Sequence, residues 1–104
     1  MDKLLKDLKE LVLEEYGRAS EKFGAKHNSP HEAYAVILEE IEEANDAIEA
    51  TGAHLGHFWY MTKSDNPELN VYHAANMRDC ALKCAAEMIQ VAAMAHKAIQ
   101  GYGE

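Results

Sequence analysis

Ile37-Leu38-Glu39-Glu40-Ile41-Glu42-Glu43-Ala44-Asn45-Asp46-Ala47-Ile48 is the stretch on which the reading of this chain turns. Its apolar residues return every three or four positions, the period of a helix with one buried side. Tyr34, Ile37, Ile41, Ala44 and Ile48 form the expected core face, and Glu39, Glu42, Asp46 and Glu49 fall on the opposite, solvated stripe. Glu40 and Glu43 fall elsewhere. They share a row with Val36 and Ala47 on the flank of the core face, where side chains three apart point the same way.

A second run, Cys80 to Ala95 (CALKCAAEMIQVAAMA), has only Lys83, Glu87 and Gln90 as charged or strongly polar residues. Apolar surface therefore wraps most of this helix, which suits a central position or a contact between subunits. Glu87 sits in it beside Cys80, Cys84, Val91 and Met94, where a lone carboxylate is costly unless paired or bound to metal. Carboxylates from two helices sharing one cleft raise one another's pKa values, and a hard divalent cation relieves the repulsion. Mg²⁺ suits such a place: it takes oxygen ligands, keeps several waters and offers open positions to substrate phosphates.

Outward from these two runs the chain reads as helices. Leu4, Leu5, Leu8, Leu11, Val12 and Ala19 predict a first helix over about 2–23, which Gly24 is placed to end. Ser29-Pro30-His31-Glu32 combines a capping serine, proline at the first helical position and a capping-box glutamate, and opens a second helix over 30–50. Thr51-Gly52 is expected to break it. Leu55, Phe58, Trp59 and Thr62 then predict a short third helix over 53–63. Asp65-Asn66-Pro67-Glu68 repeats the cap-then-proline signature and starts a last helix over 67–99. The expectation is one all-α domain over 1–104, a bundle of four helices. Four helices leave too little material to cover the last one, so a homodimer or homotetramer packed through it is expected.

Composition narrows the partners. The net charge is −8, from 10 Lys and Arg against 18 Asp and Glu, which argues against duplex nucleic acid or an anionic membrane. No stretch approaches the roughly 20 apolar residues of a membrane span, and the charged start MDKLLKDLKE lacks a signal peptide's apolar core, so a cytoplasmic protein is expected. Cys80 and Cys84 lie one helical turn apart and read as reduced packing residues. The six histidines share no metal-ligand spacing along the sequence. There is no Gly-x-Ser-x-Gly elbow and no phosphate-cradling glycine loop.

Glu39-Glu40-x-x-Glu43, followed on a later helix by Glu87, resembles the EExxE and ExxD signature of the MazG-like, all-α nucleoside triphosphate pyrophosphohydrolases, over roughly residues 30–99. The resemblance implies a helical oligomer that holds Mg²⁺, or Mn²⁺ in its stead. It also implies cleavage of a nucleoside triphosphate between its α and β phosphates, giving the monophosphate and pyrophosphate. Carried over by position, Glu40, Glu43 and Glu87 are metal ligands. Gln90 stands where the family has aspartate, and the stretch between the motifs is longer than the family shows. An amide oxygen can coordinate magnesium, yet it brings no charge and leaves an NH₂ group to satisfy.

Within this scheme Glu39 or a neighbouring carboxylate orients or deprotonates the attacking water. Lys83, Arg78 and Lys63 are candidate partners for the phosphate tail, and Phe58 and Trp59 offer a stacking face for a base. A second expectation is a MazG-like oligomer with weak or silent chemistry that serves as a nucleotide-binding or regulatory module.

Overall fold

The computed structural model describes residues 1–103 and is all-helical, in three helices: α1 (Asp2–Phe23), α2 (Pro30–Lys63) and α3 (Pro67–Ile99). The expected break at Thr51-Gly52 does not occur, so the predicted helices over 30–50 and 53–63 are one uninterrupted α2 and the helix count falls from four to three. The reason is energetic. A glycine inside a helix costs only about 1 kcal/mol relative to alanine, against about 3 for proline, and neighbouring turns carry it. The Thr51 hydroxyl also donates back to the Ala47 carbonyl at 2.7 Å, keeping this turn closed.

The other start and stop signals act as their chemistry dictates. Gly24 ends α1 with φ of 91°, a backbone conformation that side chains with a Cβ resist. Ser29 Oγ accepts the Glu32 backbone N–H at 3.1 Å and so caps α2. Between α2 and α3, Asp65 takes φ of 52° and Asn66 Oδ1 accepts the Leu69 backbone N–H at 3.4 Å.

Two compact units divide the chain: Met1–Ile41 together with the segment from Glu87 onward, and Glu42–Ala86. In the first, His27 is 1% exposed and donates its Nε2–H to the Met94 carbonyl at 3.1 Å. Its own carbonyl accepts the Gly103 N–H at 3.1 Å, and His27 and Tyr102 form an isolated bridge that ties the tail to the α1–α2 loop. Tyr16 stacks edge-on against His96 with ring centroids 4.8 Å apart and donates its hydroxyl to the Ala25 carbonyl at 2.9 Å. The second unit is a helical hairpin. Asn70 Nδ2 donates to the Phe58 carbonyl at 2.9 Å and to Thr62 Oγ1 at 3.0 Å, and the Cys84 thiol donates to the Ala44 carbonyl at 3.7 Å.

The expected core face of α2 is corrected in part: Ala44 is buried as expected and Ile37 is half-buried. Tyr34, Ile41 and Ile48 are 69%, 38% and 54% exposed, whereas Ala33, Ala44 and Ala47 are buried. Small side chains let a facing helix approach closely, and the large ones are left pointing outward. Among the described residues the buried apolar core is Ala33, Ala44, Ala47, Ala93 and Met94. Tyr34, Leu38, Ile41, Ile48, Leu55 and Trp59 are all exposed along α2, as are Val71, Leu82 and Met88 along α3. No helix among the described residues is long and apolar enough to cross a membrane.

Candidate metal centre and adjoining cleft

Glu40 lies on α2 and Glu87 on α3, both half-buried in the first unit, and a carboxylate oxygen of one is within 4.8 Å of an oxygen of the other. Glu43, exposed and one turn further along α2, belongs to the second unit. The local cause is helical period: three residues advance about 300°, so Glu40 and Glu43 project from neighbouring turns on one side. The donor set fits a hard ion. Adjacent oxygens in an octahedral magnesium shell lie ~2.9 Å apart and opposite ones ~4.2 Å, just inside the 4.8 Å within which these oxygens fall.

Beside Glu40, α1, α2 and α3 of the first unit line a cleft of about 460 Å³. Glu15, Glu32 and Glu40 bring negative charge to it, and Arg18, Lys22 and Lys97 bring positive charge. Lys97 is 5% exposed, an uncommon depth for a lysine. His27 also lines this cleft, and its Nδ1 is buried without a hydrogen-bond partner, 4.0 Å from Glu32 Oε1. With Nε2 carrying the hydrogen given to Met94, Nδ1 is the ring nitrogen left to meet a further partner.

Gln90 is half-buried on the cleft wall and donates its Nε2–H to Glu15 Oε1 at 2.7 Å. A carboxylate can only accept, so the NH₂ side of the amide must face Glu15 and the carbonyl side is turned away from it. Arg18 completes this group, its Nη2 and Nε meeting the two oxygens of Glu15. Glu15 titrates below the ordinary carboxylate range: the Arg18 hydrogen bonds lower it most, burial opposes them, and the Gln90 bond and the Arg18 charge lower it further.

The structure groups the sequence-named residues unevenly. Glu40 and Glu87 come together in the first unit, Gln90 lines the cleft with Glu40, and Glu43 falls in the second unit. Glu39 is exposed and stands outside that group. Phe58, Trp59, Lys63, Arg78 and Lys83 belong to the second unit and none lines the cleft. Lys63 Nζ sits 5.5 Å from the Trp59 ring centroid, Arg78 Nε pairs with Asp79 at 3.1 Å, and Lys83 is exposed.

Sequence reasoning passed over Arg18 and Lys22, read His27 with the other histidines as a surface or capping residue, and gave Lys97 only as a pairing candidate for Glu87, whereas the structure buries both His27 and Lys97. A signal was present: Glu15, Arg18 and Lys22 share one face of α1 at three- and four-residue spacing, and Gln90, Met94 and Lys97 share one face of α3. No protein-family model matches this chain, and neither a curated protein nor a solved structure matches it.

Proposed function

We propose that the chain is a Mg²⁺-dependent nucleoside triphosphate pyrophosphohydrolase of the MazG-like kind. The observation that carries the reading is the approach of Glu40 and Glu87 oxygens to within 4.8 Å in the first unit, next to a cleft that also holds Arg18, Lys22 and Lys97. Glu40, Glu43 and Glu87 would hold the ion, with the Gln90 amide oxygen as a fourth, uncharged donor. When bound, the ion supplies charge neutralisation on the phosphates and a more electrophilic phosphorus.

Arg18, Lys22 and Lys97 suit the anionic tail better than Lys63, Arg78 and Lys83, because they already share the cleft with Glu40. The buried Nδ1 of His27 accepts one hydrogen bond from a bound ligand. Glu39, exposed beside Glu40 in sequence, is the carboxylate assigned to orienting water. Phe58 and Trp59, on the second unit, carry no assignment toward a base.

Assembly into a homodimer or homotetramer belongs to the same proposal. A buried core of four alanines and one methionine among the described residues is thin for a chain of this length, and the exposed apolar residues of α2 and α3 offer surface that a second copy would cover.

A second reading, a silent nucleotide-binding module, is favoured by one observation: Gln90 brings no negative charge, and its NH₂ is engaged by Glu15. Pyrophosphate release from a panel of common and modified nucleoside triphosphates, with Mg²⁺ or Mn²⁺, tests both. Turnover that vanishes in Glu40→Gln supports the enzyme. Nucleotide binding without turnover supports the module, and neither binding nor turnover overturns both.

A further inference from the structure

The second unit holds an imidazole cluster that the proposed chemistry does not use. His54 and His57 project from α2 at a three-residue spacing, on one face of the helix, and His73 meets them from α3. The Nδ1 atoms of His54 and His73 are 3.0 Å apart. The His57 ring lies against that of His73, with centroids 5.1 Å apart and planes inclined by 19°, and Tyr72 stands edge-on to His73. His54 and His73 are half-buried and His57 is exposed, so the cluster is walled by two helices and open on one side.

Two Nδ1 atoms at this distance can share one hydrogen, with one ring donating and the other accepting. The same pair of lone pairs fits an ion. With metal–nitrogen bonds of about 2.0–2.1 Å, adjacent nitrogens lie ~2.9 Å apart around an octahedral ion and ~3.3 Å around a tetrahedral one, and the observed 3.0 Å falls between these. His57, exposed and one turn from His54, brings a third nitrogen by side-chain rotation, a motion that exposed residues make freely. An all-imidazole set prefers borderline d-block ions to Mg²⁺ or Ca²⁺, which take oxygen.

The geometry points to a site for a d-block divalent cation, Zn²⁺ in the first instance, held by His54, His73 and His57 between the two arms of the helical hairpin. Three protein ligands leave a further coordination position open to water or a small ligand. Because the ligands come from both α2 and α3, the ion cross-links the hairpin and stabilises it.

The test is calorimetric titration of the untagged protein with Zn²⁺, paired with thermal unfolding at matched metal concentration. The expected result is one ion per chain and a raised melting temperature. Affinity falls roughly tenfold or more in His54→Ala and in His73→Ala, and less in the exposed His57→Ala. With Mg²⁺ in excess to occupy the carboxylates, Glu40→Gln leaves the histidine-dependent Zn²⁺ binding unchanged. Circular dichroism checks that helix content survives in each variant, and should His73→Ala lose it, His57→Ala and His54→Gln carry the decision. Absence of Zn²⁺ binding, binding indifferent to all three histidines, or binding lost in Glu40→Gln instead overturns the site.

Discussion

Gln90 and Glu15 are bonded to each other, amide nitrogen to carboxylate oxygen, at 2.7 Å across α3 and α1. Position 90 is therefore matched to a carboxylate on another helix. Aspartate there faces Glu15 with like charge and loses the donor that satisfied it. Gln90→Asp is expected to lower stability by about 1–2 kcal/mol, and adding Glu15→Gln to restore part of the loss, a coupling that a double-mutant cycle in denaturant measures. Under the enzymatic reading, pyrophosphate release in the double variant exceeds that of Gln90→Asp alone. Additive stability effects would show that the two residues act independently.

Acid lability follows from the same carboxylate. Glu15 has a folded pKa below its unfolded value of about 4.3, so its contribution is fully present above that value and is lost as pH falls through the depressed folded one. The urea midpoint of the wild type should drop more steeply than that of Glu15→Gln between roughly pH 5 and pH 2. Parallel profiles would remove the Arg18–Glu15–Gln90 group from the account of acid unfolding.

Mg²⁺ should stabilise the folded chain by linkage, by about 2.7 kcal/mol at one hundred times its dissociation constant. The melting temperature then rises by several degrees on adding Mg²⁺, and Glu40→Gln or Glu87→Gln abolishes the rise while leaving the metal-free protein folded. A rise that persists in both variants places the ion elsewhere.

His27 is buried and holds the Met94 carbonyl. His27→Ala removes that hydrogen bond and opens a void, and is expected to cost roughly 2–4 kcal/mol in chemical denaturation. His27→Gln, which keeps a donor, should cost less. Equal losses would mean that the ring's volume matters and its hydrogen bond does not.

Ile48 is 54% exposed in the middle of the outward apolar face of α2. Ile48→Glu is expected to shift the protein toward monomers in analytical ultracentrifugation while preserving its helical circular dichroism. A wild type that sediments as a monomer at every concentration would remove the assembly from the proposal.

Local signals in the sequence located the elements well and their faces poorly. Ser29-Pro30, Asn66-Pro67 and Gly24 mark helix ends because capping and backbone sterics act within a few residues. Thr51-Gly52 misled, since a glycine is a weak breaker and the Thr51 hydroxyl bond to Ala47 depends on the helix already being formed. The face of α2 was also misjudged. Periodicity identifies an apolar side, but whether α3 packs on Ile41 and Ile48 or on Ala44 and Ala47 depends on how closely two helices approach. At the candidate site, the nearness of Glu40 to Glu43 follows from spacing on one helix, whereas the reach of Glu87 toward them is a tertiary relation. The contacts of Gln90 with Glu15 and of His54 with His73 join residues far apart in sequence, so no pattern along the chain announces them.

A core built from alanines has a calorimetric signature. The heat-capacity increment of unfolding scales with the apolar area newly wetted, about 12–15 cal/mol/K per residue in ordinary globular proteins. A lone chain whose large aliphatic and aromatic side chains already stand in solvent has little more to expose. Its increment should fall well below that range, flattening the curve of stability against temperature. A scan showing an ordinary increment, with a midpoint that climbs as protein concentration is raised, would locate the missing apolar burial between chains.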